Sequence, residues 1–215
     1  MVFQVEGILF DMDGVLVSSI ASVTRCWRRW AEHYGVPNAN SYEVPHGVRA
    51  VDIMQSLVPG VDVIQGLRLI EDMELEDLAD LKVLPGAGQL LRSLPDGRWA
   101  IVSSATRRLL VGRLQAAGLP VPELMISGDM VERGKPHPEP YRRGAELIHA
   151  RPEDCLVVED APSGVQAGVA AGCTVLGVGG THPGEELMEA GARWVVRTLS
   201  EVRVETVGQT LWVEL

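Results

Sequence analysis

The first apolar run of the chain predicts a buried β-strand. Ile8, Leu9 and Phe10 form a run that is too short for a helix, and it ends abruptly at Asp11. The next stretch, residues 18–34, carries apolar side chains at helical spacing and is followed by a glycine and a proline, which predicts a helix. The chain therefore opens with a strand that leads into a helix.

A long helical block follows this strand. Short helical patterns continue through residues 36–82, and no convincing strand is predicted between Val17 and Lys82. Such a block predicts an all-α subdomain, or cap, inserted into a larger core. The predicted cap covers residues 18–82, the core residues 1–17 and 83–215, and the hinges lie near residues 17–19 and 82–85.

From Leu84 onward the pattern becomes a strict alternation of helix and strand. Repeated βα units with nearly continuous apolar strands predict a parallel sheet that is covered by helices on both faces, an α/β, Rossmann-like core. The tail, residues 202–215, alternates around Gly208 and predicts a terminal hairpin. The predicted strands cover residues 99–103, 124–126, 156–158, 174–178 and 194–196, and the predicted helices residues 85–94, 109–117, 138–149, 163–171 and 185–190.

Composition and charge narrow the possible functions. The chain has 215 residues, of which 46% are hydrophobic and 22% charged, as in an ordinary globular protein. A net charge of −10 argues against nucleic acid or an anionic membrane as partner, because those surfaces need basic patches. The three cysteines show no CxxC spacing, and neither a signal peptide nor a membrane span is indicated. We therefore expect a cytoplasmic protein, and a monomer.

Polar side chains follow four of the predicted strands. In open α/β sheets, ligands bind beyond the carboxyl ends of the strands. Each group by itself has an ordinary explanation as a turn, a helix cap or a solvated lysine, but together they place acids, hydroxyls and a lysine along one edge of the sheet. That arrangement suits phosphate and Mg²⁺. The groups are Asp11 and Asp13, Ser103 to Thr106, Lys135, and Glu159 with Asp160.

The residue types suggest a chemistry. A carboxylate such as Asp11 is a competent nucleophile towards phosphorus and gives an aspartyl-phosphate. The Asp11 carboxylate and a phosphate are both anions, so they can approach each other only if cations neutralise their charges. We therefore expect a Mg²⁺ ion that is held by Asp11, the backbone carbonyl of Asp13 and Asp160, with Glu159 as an outer partner. Lys135 would add a fixed positive charge. Ser104 and nearby backbone N–H groups would bind the phosphate oxygens, and Asp13 suits general acid and base work.

These residues resemble the four signature motifs of the haloacid dehalogenase superfamily: Asp11-Met12-Asp13-Gly14-Val15, Ser104, Lys135 and Glu159-Asp160. The helical insertion after the first motif resembles the α-helical cap of the phosphoglucomutase-like subgroup. Residues 99–106, 134–141 and 157–164 look most like bacterial sugar phosphatases and fungal glycerol-phosphate and deoxyglucose-phosphate phosphatases. The resemblance implies that the first aspartate is the nucleophile and the second the acid/base.

Further substrate contacts are expected around this centre. By the same resemblance, His46 and Arg49 lie where the cap contributes substrate contacts. Ala105 lies in the phosphate-binding loop, where glycine is common, and Thr106 follows it, within reach of the leaving group. The sequence therefore predicts a Mg²⁺-dependent phosphatase whose partner is a small phosphorylated metabolite, a sugar or polyol phosphate monoester.

Three other functions are less well supported. A mutase of the same fold would carry a histidine early in the first cap helix, where this chain has Val23. A dehalogenase needs no metal and usually lacks the second aspartate, which is present here as Asp13. A non-catalytic phosphate-binding regulator should have lost at least one of the motif residues, and none is missing.

Overall fold

The computed structural model describes residues 1–208 and 210–215. Its centre is a six-stranded parallel sheet in the order β6-β5-β2-β7-β8-β9, so the predicted α/β core is confirmed. Every residue of the three central strands is buried, as their apolar runs predicted. The strands are β2 (Gly7–Phe10), β5 (Trp99–Val102), β6 (Met125–Ile126), β7 (Cys155–Glu159), β8 (Thr174–Val178) and β9 (Trp194–Val196).

Helices cover both faces of this sheet. Because successive side chains of a strand point to opposite faces, Ile8 and Phe10 enter one apolar cluster and Leu9 enters the other. The sheet is therefore packed between two layers of helices, with one apolar cluster on each face. These helices are α4 (Ala87–Ser93), α5 (Arg107–Ala116), α6 (Glu139–Leu147), α7 (Pro162–Ala171) and α8 (Gly184–Glu189).

A second, antiparallel sheet closes one end of the core. The predicted terminal hairpin is present as β10 (Arg203–Val207) and β11 (Thr210–Glu214), although residue 209 within it lies outside the described residues. Strand β1 (Val2–Val5) pairs with β11, a strand that the sequence pattern did not predict. Phe3 of β1 stacks on Trp194 with 4.5 Å between ring centroids, which ties this sheet to the central one.

The segment between β2 and α4 forms a helical unit with its own apolar cluster. Its helices are α1 (Ile20–His33), α2 (Ala50–Leu57) and α3 (Val63–Glu76), with a short 3₁₀ turn at Ala39–Ser41. They pack around the fully buried Trp30, whose indole N–H donates to the carbonyl of Gly66 at 3.0 Å. The long helical pattern of the sequence therefore corresponds to a compact helical insertion.

Two short strands join the insertion to the core. Strands β3 (Val17–Ser18) and β4 (Lys82–Val83) pair side by side and were not predicted, since two-residue strands carry no pattern. They lie at the predicted hinges, and the division at residues 17/18 and 82/83 into core and cap stays a prediction. Among residues 1–208 and 210–215, no helix is both long and apolar enough to cross a membrane.

Candidate active site

A buried lysine lies at the centre of the site. The Lys135 ammonium donates to Asp11 Oδ1 at 2.9 Å, to Glu159 Oε1 at 2.6 Å and to the carbonyl of Val102 at 3.1 Å. Strands β2 and β7 are parallel neighbours, so the residues that follow Phe10 and Val158 meet at the same edge. Burial acts to lower the pKa of Lys135, but the two carboxylates hold it above its usual value. The lysine is therefore a fixed positive charge.

Glu159 serves mainly to hold this arrangement together. Besides Lys135, its carboxylate accepts the Tyr141 hydroxyl at 2.6 Å and the backbone N–H groups of Asp160 and Ala161 at 3.0 and 3.3 Å. A side chain at Gly164 would put its Cβ 1.8 Å from Glu159 Oε1, so the helix that follows can only pass this close with glycine. The role of Glu159 as an outer partner of Mg²⁺ stays a prediction. Tyr141 was not predicted.

The three carboxylates of this centre form a cluster that suits a divalent cation. One oxygen each of Asp11, Glu159 and Asp160 lies within 4.8 Å of the others, and all three residues are buried. Burial is the main cause that raises the pKa of Asp11 to about 7 and that of Asp160 well above its usual range. When all three carboxylates are ionised, Lys135 balances only one of their negative charges. The cluster therefore needs further positive charge, and oxygen ligands of this kind fit Mg²⁺.

Gly14 leaves the room that this cluster needs. It has a φ of +85°, and an added Cβ would lie 1.8 Å from Asp160 Oδ2. Because the carboxylate oxygens of Glu159 already have several donors, Asp11 and Asp160 are the better placed ligands.

Asp13 is held by two side chains that face it from different elements. Its Oδ1 accepts the Ser19 hydroxyl at 2.7 Å, and its Oδ2 accepts Arg113 Nη1 of α5 at 2.6 Å. The other Nη of Arg113 contacts the buried Glu74 of α3. Sequence reasoning missed Arg113 and Glu74. An arginine on the apolar face of α5, three residues after Leu110, was the signal that could have found it.

The predicted phosphate-binding loop lies at the end of β5, with its hydroxyls engaged by the protein. Ser104 donates to the carbonyl of Gly47 in the insertion at 2.6 Å, and Ser103 Oγ accepts the backbone N–H of Ala105 at 3.1 Å. Ser104 and Ala105 line the cleft between core and insertion. Thr106 does not, because it caps α5 and donates to Glu71 of α3. The leaving-group contact expected of Thr106 is therefore not seen.

The two predicted substrate contacts of the insertion have different outcomes. His46 lines the cleft, with its ring 5.9 Å from that of His182, and burial lowers its pKa. Arg49 is not among the lining residues. It pairs with Asp52 at 2.7 Å and donates to the carbonyl of Val131 at 2.8 Å, so its charge is already balanced away from the cleft.

The cleft has a polar floor and largely apolar walls. It encloses about 750 Å³, counting the part that is open to solvent. Asp11, Asp13 and Asp160 form the floor, whereas Lys135 lies beneath it and is reached through Asp11. Towards the insertion the lining is largely apolar, with Ser19, His46 and Glu74 as its polar side chains; the apolar ones are Ile20, Val23, Trp27, Val44, Pro45, Val48, Ala50 and Ile53.

A carboxylate nucleophile candidate, a second aspartate and a lysine now stand at one sheet edge beneath a helical insertion. The sequence model of the family described as "Hydrolase: haloacid dehalogenase-like hydrolase" matches residues 5–172. The chain belongs to this family. The sequence-based assignment to the haloacid dehalogenase superfamily, and to hydrolases, is thereby confirmed.

Two relatives of this haloacid dehalogenase-like hydrolase are named as phosphatases. It is 38% identical to hexitol phosphatase A of Escherichia coli, over 80% of this chain and 82% of the relative. It is 31% identical to 2-deoxyglucose-6-phosphate phosphatase 2 of Saccharomyces cerevisiae, over 94% of this chain and 91% of the relative. Both names describe hydrolases of phosphoric monoesters.

A solved structure named for a different activity is also similar. The putative beta-phosphoglucomutase of Thermotoga maritima is 29% identical, covers 91% of this chain and 95% of its own, and superposes with a TM-score of 0.65. This chain therefore resembles both proteins that are named as phosphatases and structures that are named as mutases.

Proposed function

We propose that this protein is a Mg²⁺-dependent phosphatase that hydrolyses small sugar or polyol phosphate monoesters through an aspartyl-phosphate. The observation that carries the proposal is the contact of Asp11 with Lys135, beside Asp160, on the floor of the cleft between core and insertion. The names of the similar phosphatases support the substrate class.

The first half of the reaction uses both aspartates. A carboxylate oxygen of Asp11 attacks phosphorus, and the bond from phosphorus to the ester oxygen breaks. Asp13 gives its proton to that oxygen, so the sugar or polyol leaves as a neutral alcohol. Lys135 fixes the orientation of Asp11 through Oδ1.

The second half returns the enzyme to its starting state. Asp13 takes a proton from water, and the water oxygen attacks phosphorus. The bond from phosphorus to Asp11 breaks, which releases phosphate and restores both side chains. The cleft must admit water at this stage, so we expect the insertion to move away from the core between the two steps.

The proposed metal site consists of Asp11 and Asp160, with the backbone carbonyl of Asp13 and with Glu159 behind them. Mg²⁺ bound there would supply positive charge that offsets the meeting of a carboxylate with a phosphate dianion. The Ser104 hydroxyl and Ala105 line the cleft where phosphate oxygens would lie, and Ser104 would have to exchange its contact with Gly47 for one with substrate.

A phosphomutase is the second candidate, because a structure of that name is similar. Two observations favour the phosphatase. Val23 lines the cleft where the resemblance to mutases implies a histidine. Among the described residues of the cleft lining, Arg113 is the one lysine or arginine, and Asp13 and Glu74 already pair with it, so no free cation awaits a second phosphate. A cytoplasmic location and a monomeric state stay predictions.

The test is a screen of phosphorylated sugars and polyols, together with p-nitrophenyl phosphate, ranked by kcat/KM. We expect the wild type to hydrolyse several monoesters with Mg²⁺ present and to lose this activity after exhaustive chelation. Asp11→Asn should lower kcat at least about a thousandfold, roughly 4 kcal/mol of barrier, because an amide cannot attack phosphorus.

Asp96→Asn is the matched control, since Asp96 is exposed in a turn far from the cleft, and it should leave the rates unchanged. More than about a tenth of the wild-type rate in Asp11→Asn, or full turnover without metal, would contradict the proposal. Intramolecular transfer of phosphate within a sugar, without release of inorganic phosphate, would favour the mutase.

A further inference from the structure

Asp13, the proposed acid/base, is linked to the insertion through Arg113. Arg113 of α5 contacts Asp13 with one Nη and Glu74 of α3 with the other. The Arg113 side chain is 5% exposed, as is that of Glu74, so this pair is shielded from water. A charged group that is buried this deeply needs partners, and Arg113 has one on each side of the cleft.

The two oxygens of Asp13 have unequal partners. Oδ2 accepts a charge-assisted hydrogen bond from Arg113, whereas Oδ1 accepts a hydrogen bond from the neutral Ser19 hydroxyl. The carboxylate charge strengthens both bonds, but only the bond at Oδ2 also has a charged donor, so it is the stronger of the two. Ser19 is at the N-cap position of α1, and its hydroxyl forms no capping bond with that helix. Oδ1 is therefore the oxygen that can exchange partners.

We propose that Arg113 is a positioning residue for Asp13, and that Glu74 of the insertion holds Arg113 in place. Arg113 fixes Oδ2, so that Oδ1 carries the proton, gives it to the leaving oxygen and later takes one from water. Because Glu74 belongs to α3, Asp13 is fully positioned only when the insertion lies against the core. This inference rests on the proposed function, in which Asp13 is the acid/base.

The experiment compares two leaving groups in the same variants. Departure of an alkoxide needs a proton, whereas p-nitrophenolate leaves readily without one. The alkyl ester used is the phosphate monoester with the highest kcat/KM in the screen above. The variants are Arg113→Lys, which keeps the charge but loses the rigid planar guanidinium whose two Nη atoms contact Asp13 and Glu74 separately, and Glu74→Gln, which removes the charged partner.

We expect kcat for the alkyl ester to fall at least about tenfold more than kcat for p-nitrophenyl phosphate in both variants, while KM changes little. Glu74→Gln carries the test by itself if Arg113→Lys fails to fold, which thermal melts will show. The control is Arg108→Lys on the same helix: Arg108 also pairs with the insertion, at Glu71 and Asp72, but does not contact Asp13. It should leave the ratio of the two rates unchanged.

Equal losses for both esters, or losses confined to KM, would overturn the positioning role. A lower ratio in Arg108→Lys as well would also overturn it, because any salt bridge to the insertion would then suffice. Failure of the wild type to hydrolyse any monoester would instead overturn the proposed function, so the two failures are distinguishable.

Discussion

At the scale of single residues, burial decides what each charged group can do. Arginines of similar appearance in the sequence have different environments: Arg113 lies inside the cleft, while Arg49 is folded back onto Asp52 and the carbonyl of Val131. Gly134 makes that position possible, since a Cβ there would lie 2.8 Å from the Arg49 side chain. Arg49 therefore connects the insertion to the core loop before Lys135 and does not face the substrate space.

Replacement of Arg49 tests this placement. Arg49→Ala should lower kcat/KM for the best sugar or polyol phosphate and for p-nitrophenyl phosphate by the same factor, because it weakens a contact between insertion and core that both reactions use. Steady-state kinetics with the two substrates is the measurement, and the exposed Arg68→Ala serves as control. A loss more than about tenfold larger for the sugar or polyol phosphate would make Arg49 a substrate contact after all.

At the scale of elements, apolar patterns predicted most of the structure, and the polar network was harder to predict. The strands β2, β5 and β7 were found because each contains a short, continuous apolar run. Strand β1 was missed because its pairing partner, β11, lies at the other end of the chain. The motif residues Asp11, Lys135 and Asp160 were predicted to share one sheet edge from the strand pattern alone.

The partners of Asp13 could not be predicted in this way. Nothing in the sequence shows that Glu74 of α3 will face Arg113, since their contact depends on how the insertion packs over the core. A helix cap was one interpretation of Thr106 in the sequence, but for the same reason the pattern could not tell that its hydroxyl would contact Glu71 rather than face the cleft. Contacts between separately packed elements are set by tertiary geometry.

Trp30 of α1 is fully buried in the apolar cluster of the insertion. Trp30→Phe removes the indole N–H that donates to the carbonyl of Gly66 and leaves space where the larger ring packed, so the free energy of unfolding should fall by about 1–3 kcal/mol. The same change at the more exposed Trp212 should stay within about 0.5 kcal/mol. Denaturant unfolding measures both, and equal effects would contradict the role of this hydrogen bond.

At the scale of the whole molecule, the apolar clusters of the core are separate from that of the insertion, and polar contacts join the two units. The hydroxyl of Ser104 contacts Gly47, and Arg108 pairs with Glu71 and Asp72. Exposed ion pairs of this kind contribute about 0.2–1 kcal/mol each, so water can replace them at little cost. This interface therefore suits a unit that opens and closes during turnover.

The buried Glu74 makes the stability of the molecule depend on pH. Burial raises its pKa from 4.5 to about 7, although Arg113 acts in the opposite direction. Between these two pH values the folded protein keeps the proton that the unfolded chain has already released, so stability falls as pH rises. The free energy of unfolding of the wild type, measured relative to Glu74→Gln, should fall by at most about 3 kcal/mol between pH ~4.5 and ~7.

Denaturant unfolding at a series of pH values measures this difference. The comparison with Glu74→Gln removes the titration of all other groups, as far as they behave alike in the two proteins. A difference that stays constant with pH would mean that Glu74 ionises in the folded protein at its ordinary pKa.

The paired strands β3 and β4 have a mechanical consequence. Val17 lies opposite Val83, and the N–H of Leu84 donates to the carbonyl of Leu16 at 2.9 Å. The two segments that connect the core with the insertion are therefore hydrogen-bonded to each other and form one two-stranded stalk. A rotation about this stalk would carry α1, α2 and α3 as one body. His46 and Glu74 would then move away from Asp11, Asp13 and Asp160, and return to them, in a single motion, while the six-stranded sheet stays in place.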